Sequence, residues 1–254
     1  MKLSRIVFFV ILLAAAFWLY RINYWQIVDH QNIKLSGKDG KKIAADLYPA
    51  NNPKGWIMLT HSMSETKESW KDLANRLKDL GYESLAIDLC GHGESDGGPN
   101  SYQKFSDAEH QAGIKDLEAA WGFLKSRGAL PEKTVVVGAS IGANLSLQFL
   151  TENPDFNGGI LLSPGNYKGI DSAILVKRLN ENQKILFVAS RKDERSAGNN
   201  AEDNQNYYNL AAQVKNRHLI VFDGAGHGES LLKLEEEYDL TGAIIKFLEI
   251  GKTN

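Results

Sequence analysis

The chain has 254 residues, enough after a leader is set aside for one large domain or two small ones, with ample core. Its charge is nearly balanced, 29 basic against 31 acidic residues, and no basic stripe argues for a nucleic-acid partner. The single cysteine, Cys90, excludes an internal disulfide and any multi-cysteine metal site.

Residues 1–28 stand apart. Lys2 and Arg5 precede an apolar run from Ile6 to Tyr20. Its 15 residues make about 22 Å of helix at roughly 1.5 Å per residue, short of a ~30 Å membrane core. Ala14-Ala15-Ala16 would suit cleavage of a secretory signal. An uncleaved anchor is the other reading, since Trp18, Tyr20, Tyr24 and Trp25 would form an interfacial belt and Arg21 could snorkel. With the basic end held in the cytoplasm, the domain of residues 29–254 is expected outside, tethered to the membrane or secreted.

Beyond the leader, strands and helices alternate. Strands are predicted over 42–48 and 55–60, then a helix over 69–80 with Leu73, Leu77 and Leu80 on one face and a cap at Ser69/Asp72. A strand at 83–89 leads into a glycine-rich loop over 91–100. A long helix over 106–126 opens on a Ser106/Glu109 capping box. There follow strand 134–137, helix 141–150, strand 158–162, a weak helix over 170–179 and strand 184–189. Helix 204–214, strand 218–222 and helix 238–248 end the order. Such alternation implies an α/β fold, a mostly parallel sheet covered by helices on both faces. Reactive groups in such sheets gather beyond the carboxyl ends of the strands.

Residues 138–142 read Gly-Ala-Ser-Ile-Gly between a β-branched strand and a helix. That is the context of a nucleophile elbow, a turn so tight that its neighbours must be small while the Ser140 hydroxyl stands clear of the sheet. The following helix offers its N-terminal N–H groups to developing negative charge, which makes the backbone of Ile141 one oxyanion donor. A serine needs a base, and Gly226-His227-Gly228 follows the last strand. The imidazole needs a carboxylate to fix its tautomer, and Asp193 follows strand 184–189. Glu194 and Asp223 are the competing carboxylates; Asp223, only four residues before His227, is expected to be structural. His61 and His92 are expected to shape loops, not to react. No His-x-x-x-His pair or carboxylate cluster suggests a metal, and no cofactor is expected.

With His61-Ser62, Asp88, Gly91-His92-Gly93-Glu94-Ser95, the Ser140 elbow, Asp193 and Gly226-His227-Gly228 in this order, residues 33–250 resemble the α/β-hydrolase superfamily. Gly-Ala-Ser-Ile-Gly-Ala-Asn-Leu from Gly138 and Leu-Ser-Pro-Gly-Asn-Tyr-Lys-Gly from Leu162 look like its dienelactone-hydrolase-like bacterial branch, with a serine nucleophile in place of that branch's cysteine. The resemblance implies the α/β-hydrolase fold and makes the backbone N–H of Met63 the second oxyanion donor. It departs from the superfamily's usual His-Gly at Ser62. Roughly 20 residues separate Ser163 from Lys184, the usual lid position, so a minimal lid and a shallow site are expected. The expected activity is hydrolysis of small acyl esters through an acyl-enzyme intermediate. A thioesterase, a small-peptide hydrolase or a non-catalytic binding scaffold remain the alternatives.

Overall fold

Runs of Val, Ile and Leu with few polar residues form strands that are buried on both sides. The computed structural model describes residues 30–193, 200–234 and 238–250. The leader, residues 1–28, lies outside the described residues, as does Glu194. Among the described residues no helix is long and apolar enough to cross a membrane.

The main sheet has eight strands: β1 (Gln31–Ser36), β2 (Lys42–Tyr48), β3 (Gly55–Thr60), β4 (Tyr82–Ile87), β5 (Thr134–Ala139), β6 (Gly158–Leu162), β9 (Lys184–Ser190) and β10 (Asn216–Phe222). Their spatial order is β1-β2-β4-β3-β5-β6-β9-β10. β2 runs antiparallel to β4, and from β4 to β10 every pairing is parallel. The sheet is thus mostly parallel, with an antiparallel edge. Successive side chains enter opposite cores: Val136, Met58, Leu161 and Phe187 on one face, Val135, Val137, Ile57, Ile160 and Leu186 on the other.

The helices are α1 (Lys71–Asp79), α2 (Asp107–Gln111), α3 (Ile114–Ser126), α4 (Ile141–Glu152), α5 (Ser172–Leu175), α6 (Asn200–Leu210) and α7 (Leu240–Glu249). α4 buries nine of its twelve residues, Ile141–Leu147 and Phe149–Leu150, which packs it firmly behind β5. From β3 the chain steps to β4 on one side, then returns to β5 on the other. The ends of β3 and β5 therefore flank a topological switch point, where such sheets leave an open crevice.

Several boundaries differ from the sequence reading. β1 was not foreseen, because as an edge strand it buries only Leu35 and shows little alternation. The helix expected over 106–126 breaks at Gly113 into α2 and α3, although the Ser106/Glu109 capping box forms. Helix 69–80 instead begins as a 3-10 turn at Lys67–Trp70, has no side-chain cap, and leaves Leu80 39% exposed beyond its end. α6 starts four residues before the expected 204. Within the lid position, a two-stranded hairpin of β7 (Asn166–Tyr167) and β8 (Ile170–Asp171) precedes α5. That hairpin was not anticipated, and residues 163–183 hold no cap domain.

Candidate active site

The turn between β5 and α4 sets the site. Ser140 sits there at φ 53°, ψ −118°, a region that costs a non-glycine residue about 1–3 kcal/mol and persists only where the surroundings enforce it. Its N–H donates to the Leu162 carbonyl at 2.8 Å, and its own carbonyl accepts from Ala143 and Asn144 at 2.9 and 3.1 Å. The flanking glycines are steric necessities. A Cβ on Gly138 would lie 2.2 Å from the Gly142 carbonyl oxygen, and one on Gly142 would lie 2.4 Å from the Thr60 carbonyl oxygen.

His227 opens a 3-10 turn (Gly228–Lys233) beyond β10, and Asp193 follows β9. The His227 Nδ1 lies 2.6 Å from Asp193 Oδ2, and the Asp193 side chain is almost wholly buried. A carboxylate can only accept, so Nδ1 carries the hydrogen and Nε2 is the nitrogen left to take a proton. The two strand ends are tied together: Ser190 Oγ donates to the Gly226 carbonyl at 2.6 Å, and the Arg191 N–H donates to Phe222 O at 2.9 Å. Asp223 points away, its side chain 92% exposed and paired with Arg191 at 2.9 Å. Gly228, beside the histidine, sits at φ 57°. Its N–H is pinned to Ser163 Oγ at 3.0 Å.

Ser140 and His227 open onto one cleft of about 440 Å³, lined also by Ser62, Met63, Ser64, Tyr102, Asn166, Tyr167 and Lys168. The structure thus brings Ser140, His227 and Met63 to one cleft, with Asp193 behind His227 and Ile141 at the first position of α4. Tyr167 meets the His227 ring edge-on, with centroids 6.1 Å apart. It comes from the unforeseen hairpin, whose signal in the sequence was the Lys168-Gly169 turn. Gln111 Nε2 fixes that turn by donating to the Lys168 carbonyl at 2.8 Å.

The loop after β3 is held from three sides. The Leu89 N–H donates to His61 Nε2 at 3.0 Å, so Nδ1 carries the hydrogen and donates to the Ser62 carbonyl at 2.7 Å. Complete burial, reinforced by nearby His92, pushes His61 down to about 3, which keeps it neutral. His92 Nε2 lies 2.8 Å from the Met63 carbonyl, and its ring stacks on Tyr102 with centroids 4.1 Å apart. The Ser62 N–H donates to Oε1 of Glu229 at 2.8 Å. Burial holds the Glu229 carboxyl above the usual carboxylate range. Glu229 was not singled out in the sequence, where a Glu after His-Gly carries no distinctive signal. Asp88 anchors the glycine-rich loop, its two carboxylate oxygens accepting from the Lys67 and Glu94 N–H groups at 2.8 and 2.9 Å.

Known proteins share this framework. The family model described as serine aminopeptidase S33 (Hydrolase_4) matches residues 51–220. The monoglyceride lipase of Rattus norvegicus is 29% identical over 158 residues, covering 61% of this chain and 50% of the lipase. A thermostable monoacylglycerol lipase of Bacillus sp. is 28% identical over 115 residues, covering 45% of this chain and 42% of that protein. The chain thus spans about half the length of these curated relatives. The esterase Pf2001 of Pyrococcus furiosus superposes with a TM-score of 0.70 at 20% identity, covering 87% of this chain and 91% of that one. A carboxyl esterase of Bacillus coagulans does so with a TM-score of 0.65 at 13% identity, covering 87% and 99%. The fold is that of the α/β-hydrolases.

Proposed function

The chain belongs to the Hydrolase_4 family, described as serine aminopeptidase S33, and from that premise we propose that it hydrolyses carboxylic esters with Ser140, His227 and Asp193. The observation that carries this reading is Ser140 in its strained turn on the same cleft as a histidine whose Nδ1 is held 2.6 Å from a buried aspartate. His227 Nε2 takes the Ser140 proton as Oγ attacks the ester carbonyl. The backbone N–H groups of Ile141 and Met63 receive the oxyanion of the tetrahedral intermediate. His227 then protonates the departing alcohol, leaving an acyl-Ser140 that water hydrolyses by the same steps in reverse order.

The cleft favours esters over the peptides that the family description suggests. An aminopeptidase needs an anionic group for the substrate's α-ammonium. Among the described residues the lining of this cleft holds no carboxylate, and the fixed charge it carries is the cation of Lys168. Asp193 is engaged behind the imidazole. The monoglyceride lipases among the relatives support an acyl ester as the substrate class. Residues 1–28 serve, in this reading, as a membrane anchor or secretory signal that places the hydrolase outside the cytoplasm. A fluorophosphonate probe tests the proposal: it labels Ser140 in the wild type and leaves Ser140→Ala unlabelled. An unlabelled wild type sinks it.

A further inference from the structure

We propose that Glu229 is a positioning residue that fixes the oxyanion loop from the loop bearing His227. The inference rests on the ester-hydrolase reading and adds a residue that neither nucleophile, base nor acid requires. The peptide groups on both sides of Ser62 are held by side-chain hydrogen bonds. Glu229 supplies one of them. It is 5% exposed, and its Oε1 accepts the Ser62 N–H at 2.8 Å and lies 3.3 Å from Ser69 Oγ. His61 supplies the other by donating to the Ser62 carbonyl at 2.7 Å. The two peptide groups that meet at the Ser62 Cα are thereby both fixed.

The consequence falls on Met63. In a trans peptide the N–H points opposite to the carbonyl. Holding the Ser62 carbonyl toward His61 therefore directs the Met63 N–H the other way, and Glu229 stops the preceding peptide from rotating that arrangement out of place. Glu229 is the anchor of this loop that comes from the base side. The two loops also touch at Gly228, which has φ 57°, and where a Cβ would lie 3.4 Å from Ser62 Cβ and 3.3 Å from Ala139 Cβ. The base and the oxyanion donor are thus held in one register. Among the described residues Glu229 meets N–H and O–H donors and forms no ion pair. Its role is therefore that of an acceptor at a fixed place, which a neutral amide oxygen can also fill.

Glu229→Ala and Glu229→Gln in the full chain test this, with kcat and KM for p-nitrophenyl butyrate measured across pH beside the melting temperature and fluorophosphonate labelling. Loss of an oxyanion donor costs about 10²–10³ in kcat, and loosening one costs less. The expected result for Glu229→Ala is a fall in kcat of about 10- to 100-fold, with KM within about threefold and the pH midpoint unmoved. Glu229→Gln should recover kcat to within about fivefold of wild type. A Glu229→Ala with full kcat, a Glu229→Gln as impaired as Glu229→Ala, or a rise in KM alone overturns the inference. If Glu229→Ala does not melt cooperatively, Glu229→Asp replaces it. That variant withdraws the oxygens by one methylene and should show the same fall in kcat, and an unimpaired Glu229→Asp counts against the inference. An inert, unlabelled wild type overturns the ester-hydrolase reading itself, whereas an active wild type beside an unaffected Glu229→Ala overturns this inference alone.

Discussion

The hydroxyl of Ser140 is the one group at the β5–α4 turn that could carry an acyl chain, so its removal should leave the fold and take the chemistry. Ser140→Ala is expected to lower kcat for short p-nitrophenyl esters by at least about 10³ with an unchanged melting temperature. A variant keeping more than about a tenth of the wild-type rate would place the nucleophile elsewhere. Asp193→Asn should cost on the order of 10³–10⁴ in kcat, because an amide can donate to Nδ1 and so favour the wrong tautomer. Asp223→Asn should be silent, since that side chain is 92% exposed and its ion pair is with the exposed Arg191. A reversal of these two results would reassign the acid. His61 makes a prediction about stability instead. Its folded value near 3 lies below the ordinary 6.5, so between those values the unfolded chain binds more protons and stability falls as pH falls. By pH 5 this one residue should withdraw about 2 kcal/mol. Urea titrations at pH 7 and pH 5 measure the loss, and His61→Gln should flatten it; an equal slope in that variant would refute the assignment. Ser140, Asp193 and His227 were legible in the sequence because each follows its own strand in nucleophile–acid–base order. Glu229 was not, because a buried acceptor for a loop 167 residues away leaves no local pattern.

At the scale of elements, legibility followed burial. β5 and α4 could be read from their first residues and to within two residues at their ends, since Thr134–Ala139 is buried throughout and a glycine lies on each side of Ser140. β1 could not, because an edge strand with exposed side chains has neither a continuous apolar run nor clean alternation. The β7–β8 hairpin was missed for a related reason. Two-residue strands are too short to show a period; the helix expected over 170–179 does form, as α5 and the 3-10 turn Val176–Arg178, and β8 takes only its first two residues. The elbow also yields a sharper test than propensity does. Gly142 sits where α4 presses against the end of β3, and a Cβ there would meet the Thr60 and His61 carbonyl oxygens at 2.4 and 2.5 Å. Neither oxygen belongs to a flexible side chain, so the backbone itself must move. Gly142→Ala should therefore lower stability by more than about 2 kcal/mol and remove activity together with it. Gly122→Ala on α3, where the added methyl meets nothing, should hold or raise the melting temperature. Equal melting temperatures for the two variants would mean that the turn is looser than its geometry indicates.

At the whole-molecule scale, we expect residues 1–28 to act as a leader for a domain that works without them. Each candidate catalytic element lies between His61 and Glu229, and the residues from Asn32 onward form one compact unit by themselves. Among the described residues, helices cover both faces of the sheet. An apolar stretch of that length is costly to leave in water and gains by entering a bilayer. The full chain is therefore expected to fractionate with membranes and to stay there in high salt, because salt screens charges and does not weaken hydrophobic retention. Detergent should release it. A chain starting at Asn32 should be soluble and keep kcat and KM within about twofold of the full chain, as the described residues of the candidate site all lie later in the chain. Release by salt alone would make the attachment electrostatic, and an inactive Asn32 chain would give the leader a role in the fold. N-terminal sequencing of the mature protein separates the two leader readings. A start at Phe17, just past Ala14-Ala15-Ala16, marks a cleaved signal, and an intact Met1 marks an anchor that keeps the ester cleft within one tether length of the membrane surface.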